Sequence, residues 1–88
     1  MKKRVIILGS TGSIGTATLE VIANHPQSFD VAGLACASNI ELLNEQIDRF
    51  RPKMVCVFDP ERKNGVNPQG ARLYTGIGGM KEMIRNEV

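Results

Sequence analysis

The segment from Gly9 to Gly15 has residue types and spacing that suit a phosphate-binding loop. Its sequence is GSTGSIG, with a glycine at every third position. Glycine adopts backbone angles that are closed to other residues and carries no side chain. The chain can therefore turn sharply at Gly9, and a ligand can approach the main chain at Gly12. A missing side chain at Gly15 would let the following helix pack closely on the preceding strand.

The helix predicted after this loop would supply the electrostatic part of the site. Its first amides have no partner within the helix, and its dipole places partial positive charge at the same end. Both features favour an anionic group such as a pyrophosphate. The usual dinucleotide fingerprint is G-x-G-x-x-G, whereas the spacing here is G-x-x-G-x-x-G, so an ordinary strand-to-helix turn is the alternative. We predict nucleotide binding because the loop lies where the first strand of an α/β unit should end.

The composition of the chain is typical of one small globular domain. Its 88 residues are 42% hydrophobic and 23% charged, with a formal net charge of +2. These values exclude a disordered chain, and no apolar run approaches the roughly 18 residues of a membrane span. The cations form no basic block and aromatic residues make up only 5% of the chain. Neither nucleic acid nor a membrane is therefore an expected partner.

The cysteines and the histidine do not form a recognisable catalytic or metal-binding pattern. Cys36 and Cys56 are too few and too far apart for a disulfide framework or a C-x-x-C site. We predict that they are inert residues near strand ends, which is typical of a reducing cytoplasm. His25 is the single histidine and precedes Pro26. Its expected place is the end of a helix, and a catalytic role is not predicted.

Alternating apolar runs and helical periodicities predict an α/β fold. Strands are expected over residues 4–8, 29–36 and 54–58, the first covered on both faces and the third a buried strand of the parallel type. The first helix is expected to bury the stripe Ile14, Thr18, Leu19, Val21, Ile22 and His25, and the second, over residues 40–50, the stripe Ile40, Leu43, Ile47 and Phe50. Two consecutive β-α-β units predict a truncated Rossmann-like, doubly wound parallel sheet in the order 3-2-1. The ligand would lie across the carboxyl ends of its strands.

The residues after the second strand bear on the choice of nicotinamide cofactor. In NAD-binding units an Asp or Glu about 20 residues past the glycine loop hydrogen-bonds the ribose 2′-hydroxyl. Here residues 35–39 (ACASN) occupy that place and none is acidic, so a 2′-phosphate is permitted. Ser38 and Glu41 also match a capping box for the second helix. The two roles can coexist, because a capped helix N-terminus still offers amides to a phosphate.

The last third of the chain gives weaker signals. Residues 59–70 are rich in turn formers and charge, which predicts a mobile surface loop. Arg62 and Lys63 are expected to be solvated there, with a position beside a 2′-phosphate as the alternative. Residues 72–74 predict a short added strand, and the glycine cluster 75–79 a flexible turn. Residues 80–88 are helix-like, with an apolar stripe formed by Met80, Met83 and Ile84.

The chain resembles the N-terminal segment of the 1-deoxy-D-xylulose 5-phosphate reductoisomerase family. After GSTGSIG, the resemblance is carried by Thr18-Leu19, Val21-Ile22, Leu34-Ala35, Asn39-Ile40, Leu42, Gln46, Phe50, Pro52 and Val55, within roughly the first two thirds of the chain. The resemblance implies an NADPH-dependent oxidoreductase of the methylerythritol phosphate route to isoprenoids. Such an enzyme isomerises 1-deoxy-D-xylulose 5-phosphate and reduces the product to 2-C-methyl-D-erythritol 4-phosphate.

The resemblance also implies cofactor-binding residues. They are Gly9, Thr11, Gly12, Ser13 and Ile14 on the pyrophosphate side of NADPH, and Ala37, Ser38 and Asn39 around its 2′-phosphate. Family members commonly have glycine where this chain has Ala37, and a basic residue where it has Ser38. The charge pairing between that basic residue and the 2′-phosphate is therefore missing here. For the full-length enzyme, the resemblance implies a divalent metal, Mg²⁺ or Mn²⁺, and a cytoplasmic homodimer.

On this interpretation residues 1–88 are the N-terminal part of an NADP-binding domain. The family's metal carboxylates and catalytic groups lie further along the chain, so these residues are expected to hold the cofactor without catalysing the reaction. One alternative is another NADP-linked reductase such as a semialdehyde dehydrogenase, although Cys36 and Cys56 stand in the wrong context for its nucleophile. The other alternative is a nucleotide-binding module without catalysis.

Overall fold

Strands and helices alternate along the chain in a computed structural model that describes residues 2–87. The elements are β1 (Lys3–Leu8), α1 (Ser13–Ala23), β2 (Phe29–Cys36), α2 (Ile40–Phe50), β3 (Met54–Val57), a 3₁₀ helix (Pro60–Gly65), β4 (Arg72–Thr75) and α3 (Gly76–Glu87). All neighbouring strands pair in parallel, in the order β1-β2-β3-β4. The predicted α/β class and the 3-2-1 order are confirmed, and the short strand predicted at residues 72–74 is added beside β3.

Helices cover both faces of the sheet, as in a doubly wound fold. On one face α1 and α2 pack on β2 and β3, and the buried members are Leu19, Ile22, Val31, Leu34, Cys36, Leu43, Ile47, Val55, Val57 and Val66. On the other face α3 buries Met83 against Ala32, Ala35, Cys56 and Tyr74. β3 and the buried part of β2 after Asp30 therefore contain no charged or polar side chain other than the cysteine thiols, because both faces are covered there. None of the helices within residues 2–87 is long and apolar enough to span a bilayer.

β1 departs from the expectation that it is buried on both faces. It lies at one edge of the sheet and pairs only with β2. None of its residues is fully buried, and Leu8 is 52% exposed. An apolar run predicts a strand here correctly but does not tell how many neighbours cover it.

The buried face of α1 also differs from the predicted stripe. The helix buries Gly15, Leu19 and Ile22, whereas Ile14 is 83% and Val21 56% exposed. Close packing on the preceding loop requires the residue without a side chain to face inwards. Positions four and seven residues later then follow onto the same face. The glycine spacing thus indicates the rotation of α1. Of the predicted stripe, Leu19 and Ile22 are buried, whereas Ile14, Thr18, Val21 and His25 are exposed.

α2 has the predicted bounds, but a different residue caps it. The side-chain oxygen of Asn39 accepts a hydrogen bond from the Leu42 amide at 3.3 Å. The capping box predicted for Ser38 and Glu41 is therefore wrong. A helix that begins at Ile40 makes Asn39 the N-cap, and asparagine is as good a cap as serine.

The segment predicted as a mobile loop is anchored to α2. Asn44 donates to the Gly65 carbonyl at 3.0 Å and accepts from the Asn67 amide at 2.8 Å. At the start of the 3₁₀ helix, Asp59 accepts from the Glu61 amide at 3.1 Å. The turn-forming residues of this segment therefore build a bonded connection between β3 and β4.

The glycine cluster predicted as a flexible turn is instead the first turn of α3, which begins at Gly76. Gly76 has a φ of +72°, which allows the sharp change of direction after β4. A Cβ atom on Gly79 would lie 3.1 Å from the Cβ of Tyr74, so its absence lets α3 pack closely on β4. Of the predicted helix over residues 80–88, Val88 lies outside the described residues.

Candidate functional site

The loop between β1 and α1 is held at the carboxyl end of the sheet by backbone hydrogen bonds. Gly9 has a φ of +74°, which is the sharp turn that the sequence predicts. The amides of Gly9 and Ser10 both donate to the Ala35 carbonyl at the end of β2, each at 2.8 Å. The Gly12 amide donates to the Gly9 carbonyl at 3.1 Å. The loop is therefore fixed to both strands that flank the site.

Gly15 is required by the fold itself. A Cβ atom at this position would overlap the Gly9 carbonyl oxygen and lie 2.8 Å from the Cα of Ser10. Both neighbours are main-chain atoms, which cannot move aside as a flexible side chain can. The absence of a side chain therefore lets the start of α1 cross directly over the loop, as predicted.

Gly12 differs from Gly15 because the protein makes no use of the space beside it. A Cβ atom on Gly12 would meet only the Gly9 carbonyl oxygen, at an ordinary 3.4 Å, and one on Gly9 would meet nothing within 4 Å. Both residues border an open groove of about 510 Å³, lined by residues 6–8 of β1 and by the first turns of α1. The bare main chain here is thus exposed to whatever enters the groove.

The N-terminus of α1 presents unpaired amides at and beside this groove, which Ser13 and Ile14 line and which Thr11 adjoins through Gly12. No side chain caps the helix, and its first turn contains no acidic residue. Within residues 2–87, the amides of Thr11, Ser13 and Ile14 have no hydrogen-bond acceptor. The helix dipole adds partial positive charge at the same end. The arrangement can therefore bind an anionic group through main-chain donors, and the pyrophosphate role of these residues stays a prediction.

The three residues predicted around a 2′-phosphate lie at the same edge of the sheet. Ala37, Ser38 and Asn39 are all exposed and connect the end of β2 to α2. The Asp59 amide, which follows β3, donates to the Ala37 carbonyl at 3.3 Å. Arg62 forms an exposed ion pair with Asp59 at 3.6 Å. The described contacts bring neither Arg62 nor Lys63 to Ser38, so a cationic partner for a 2′-phosphate is not assembled by them.

Cys36 ends β2 directly before this segment, and its thiol is held in the neutral form. Burial raises its pKa to about 11, and the nearby Cys56 thiol contributes to the increase. Burial also raises the pKa of Cys56. A thiol that stays protonated is a poor nucleophile and a poor metal ligand, which agrees with the prediction that both cysteines are inert.

The raised pKa of Cys36 predicts that stability decreases at high pH. The ordinary pKa of the thiol is 9.0, so between about pH 9 and 11 the unfolded chain releases a proton that the folded chain retains. The contribution of Cys36 to the free energy of unfolding should be constant below pH 9 and should fall as the pH rises towards 11. Urea denaturation at several pH values measures this, and Cys36→Ala should show a smaller decrease. An identical decrease in stability in both proteins would contradict the raised pKa of Cys36.

Comparison with known proteins agrees with this geometry. The sequence pattern of the 1-deoxy-D-xylulose 5-phosphate reductoisomerase family matches residues 5–88. The chain belongs to this family. A reductoisomerase of Thermoanaerobacter sp. strain X514 is 44% identical over 86 residues, which are 94% of this chain and 22% of that protein. A reductoisomerase of Campylobacter curvus is 52% identical over 81 residues, which are 91% of this chain and 22% of that protein.

Two solved structures of reductoisomerases share the fold. The enzyme from Zymomonas mobilis in complex with NADPH superposes with a TM-score of 0.83 at 25% identity, over 94% of this chain and 23% of that one. A reductoisomerase in complex with magnesium gives a TM-score of 0.84 at 26% identity, over 99% of this chain and 23% of that one. This chain therefore spans less than a quarter of the length of these relatives. Membership of the reductoisomerase family decides against the semialdehyde dehydrogenase alternative.

One residue beside the loop was given no role by the sequence analysis. Gln46 lies on α2, is only 6% exposed, and donates from its side-chain amide to the Ser10 carbonyl at 2.7 Å. The signal that could have found it is a polar residue on a buried helical stripe, since Leu43 and Ile47 on either side of it are completely buried. Buried amides generally have a specific partner.

Proposed function

We propose that residues 1–88 bind NADPH as the N-terminal part of the cofactor domain of a reductoisomerase. The single observation that carries the proposal is the unused space over Gly9 and Gly12, faced by the unpaired amides at the start of α1. Its position at the carboxyl ends of parallel strands is where α/β sheets bind their ligands. The NADPH named for the Zymomonas mobilis relative supports the same cofactor here.

In this proposal the main chain holds the phosphates of the cofactor. The amides of Thr11, Ser13 and Ile14, together with the bare backbone of Gly9 and Gly12, would hold the pyrophosphate. The segment 37–39 would surround the 2′-phosphate. When bound, NADPH supplies a hydride to the reaction. The groove contributes no charged side chain of its own, so binding would depend on main-chain donors and the helix dipole.

The proposed whole-enzyme activity is that of the family. It is the isomerisation of 1-deoxy-D-xylulose 5-phosphate and its NADPH-dependent reduction to 2-C-methyl-D-erythritol 4-phosphate, for isoprenoid synthesis. We propose that a divalent metal, Mg²⁺ or Mn²⁺, assists the reaction, and that the enzyme is a cytoplasmic homodimer. The magnesium named for one relative supports the metal. Isothermal titration of the protein with NADPH tests the cofactor assignment directly, and the absence of any binding heat or fluorescence change would contradict it.

A basic residue in place of Ser38 is expected to strengthen binding of NADPH selectively. Ser38 is exposed after β2, and no cation among the described contacts faces it. In Ser38→Lys, a charge-assisted bond to the 2′-phosphate should tighten NADPH binding by about tenfold. NADH binding should not change, because NADH has no phosphate at that position.

Titrations of Ser38→Lys and of the uncharged control Ser38→Gln with both cofactors measure this effect. The gain for NADPH should decrease at high salt, since exposed charges are screened. Equal gains in affinity for NADPH and NADH in Ser38→Lys would contradict the proposal that the 2′-phosphate binds beside residue 38.

A further inference from the structure

The contact between α2 and the glycine loop joins two residues that are far apart in the sequence. The side-chain amide of Gln46 donates to the Ser10 carbonyl at 2.7 Å, across 36 positions of the chain. Ser10 is completely buried and Gln46 is 6% exposed, so water does not compete for this bond. A carbonyl can only accept, so the NH₂ group of Gln46 must be the end that faces Ser10.

The geometry of the peptide bond carries this contact into the candidate site. The Ser10 carbonyl and the Thr11 amide belong to one planar trans peptide, in which the C=O and N–H bonds point in opposite directions. When Gln46 holds the carbonyl towards α2, the Thr11 N–H must point away from α2. That N–H has no acceptor within residues 2–87. A rotation of the same peptide would turn the carbonyl oxygen outwards and present a negative dipole where an anion is expected.

We propose that Gln46 is a positioning residue for the cofactor: it fixes the Ser10–Thr11 peptide so that the Thr11 amide faces the pyrophosphate of NADPH. The inference rests on the proposed function and extends it to a side chain that does not itself contact the groove. Gln46 is absent from the residues that line that groove, and Thr11 directly precedes the lining residue Gly12. Its role is therefore to orient a main-chain donor before the cofactor arrives.

Gln46 places a polar side chain on an otherwise apolar stripe of α2, and its one bond is to the Ser10 carbonyl. The Oε1 atom of Gln46 and the hydroxyl of Ser10 are both buried and have no hydrogen-bond partner among the described residues. Buried polar atoms without partners reduce stability. An apolar side chain of similar shape would avoid one of them and would match Leu43 and Ile47 on the same stripe. The one satisfied bond, to the Ser10 carbonyl, is the feature that an apolar residue could not provide.

Replacement of Gln46 by methionine separates orientation from packing. Gln46→Met retains the approximate shape of the side chain and removes the donor. We expect the Kd for NADPH to rise by about tenfold, because the freed peptide no longer presents the Thr11 amide in one orientation. Leu43→Ala is the matched control on the same helix. It should lower Tm through the cavity it creates, but at temperatures where it is folded its Kd for NADPH should equal that of the unmodified protein.

Replacement of Gln46 by glutamate adds a pH-dependent test. An ionised carboxylate cannot donate to the Ser10 carbonyl and repels it, whereas a protonated carboxyl can donate its O–H. The ratio of the Gln46→Glu Kd to that of the unmodified protein should therefore be large at about pH 8 and smaller at about pH 6. Measuring both proteins at each pH removes the titration of the cofactor itself. Because a buried carboxylate also lowers stability when it is ionised, Tm is measured at each pH and the Kd values are compared at a temperature where both proteins are folded; a purely structural role would then leave the ratio independent of pH.

The outcomes distinguish this inference from the proposed function. If the unmodified protein does not bind NADPH, the proposed function fails and the inference fails with it. If the unmodified protein binds NADPH and Gln46→Met binds equally well, the inference alone is overturned. The same holds if the Gln46→Glu ratio is independent of pH. Weaker binding in Gln46→Met, unchanged binding in Leu43→Ala and partial recovery of Gln46→Glu at low pH would together support it.

Discussion

Replacing Gly12 by valine is expected to abolish NADPH binding while the protein remains folded. Gly12 has φ and ψ of −78° and 174°, which are extended values that β-branched residues adopt readily. Its Cβ would meet only one main-chain oxygen, at 3.4 Å. The valine methyl groups would instead fill the groove where the pyrophosphate is proposed to lie. Loss of one or two charge-assisted bonds predicts a Kd for NADPH raised by about 100-fold or more.

Calorimetric titration with NADPH measures the loss, and thermal denaturation confirms that the fold is intact. Gly12→Ala should weaken binding less, because it adds a single carbon atom. Ala17→Val is the matched control, since Ala17 is exposed on the same helix outside the groove. It should bind NADPH normally. Unchanged affinity for NADPH in a folded Gly12→Val protein would contradict the proposal that the pyrophosphate binds at this loop.

Replacing Gly15 by alanine is expected to lower the stability of the fold, whereas replacing Gly12 is expected to affect binding. The added Cβ would overlap the Gly9 carbonyl and lie 2.8 Å from the Cα of Ser10, so α1 would have to move off the loop. Overpacking against main-chain atoms predicts a decrease in the free energy of unfolding of about 3 kcal/mol or more. Urea denaturation monitored by circular dichroism measures it.

Gly78→Ala provides the control for a glycine-to-alanine change in a helix. Gly78 lies in α3 and has no atom within 4 Å of the position its Cβ would take. Alanine favours helix over glycine by about 1 kcal/mol, so this variant should be as stable as the unmodified protein or slightly more stable. A Gly15→Ala protein as stable as Gly78→Ala would mean that α1 and the loop do not pack as described.

Local signals in the sequence were sufficient for much of the fold. Pattern and turn residues predicted β2 and α2 with the bounds that the structure has, because apolar runs and helical spacing depend on near neighbours. The parallel order followed from two β-α-β units. The glycine loop was also predicted at its observed place. The binding roles assigned to its residues, and to residues 37–39, are still predictions.

Several errors arose where contacts between different elements decide the outcome, whereas the Asn39 cap and the start of α3 at Gly76 are local features that the turn residues did not distinguish. The face of α1 depends on the approach of Gly15 to the Gly9 carbonyl, and an apolar count of Ile14 and Val21 contains no information about that contact. The anchoring of the 3₁₀ helix depends on Asn44, which is 21 positions from Gly65. Gln46 acts across a still longer separation. Sequence patterns within one element cannot reveal partners in another.

The contrasting surroundings of Gly12 and Gly15 have a consequence for mutational scanning of this chain. A library selected for abundance or heat resistance should remove most substitutions at Gly15, since they displace main-chain atoms. The same library should tolerate many residues at Gly12, where the protein leaves the space free. Only selection for cofactor-dependent growth should enrich glycine at both. The difference between the two enrichment profiles would therefore identify, within one seven-residue loop, which glycine serves folding and which serves the ligand.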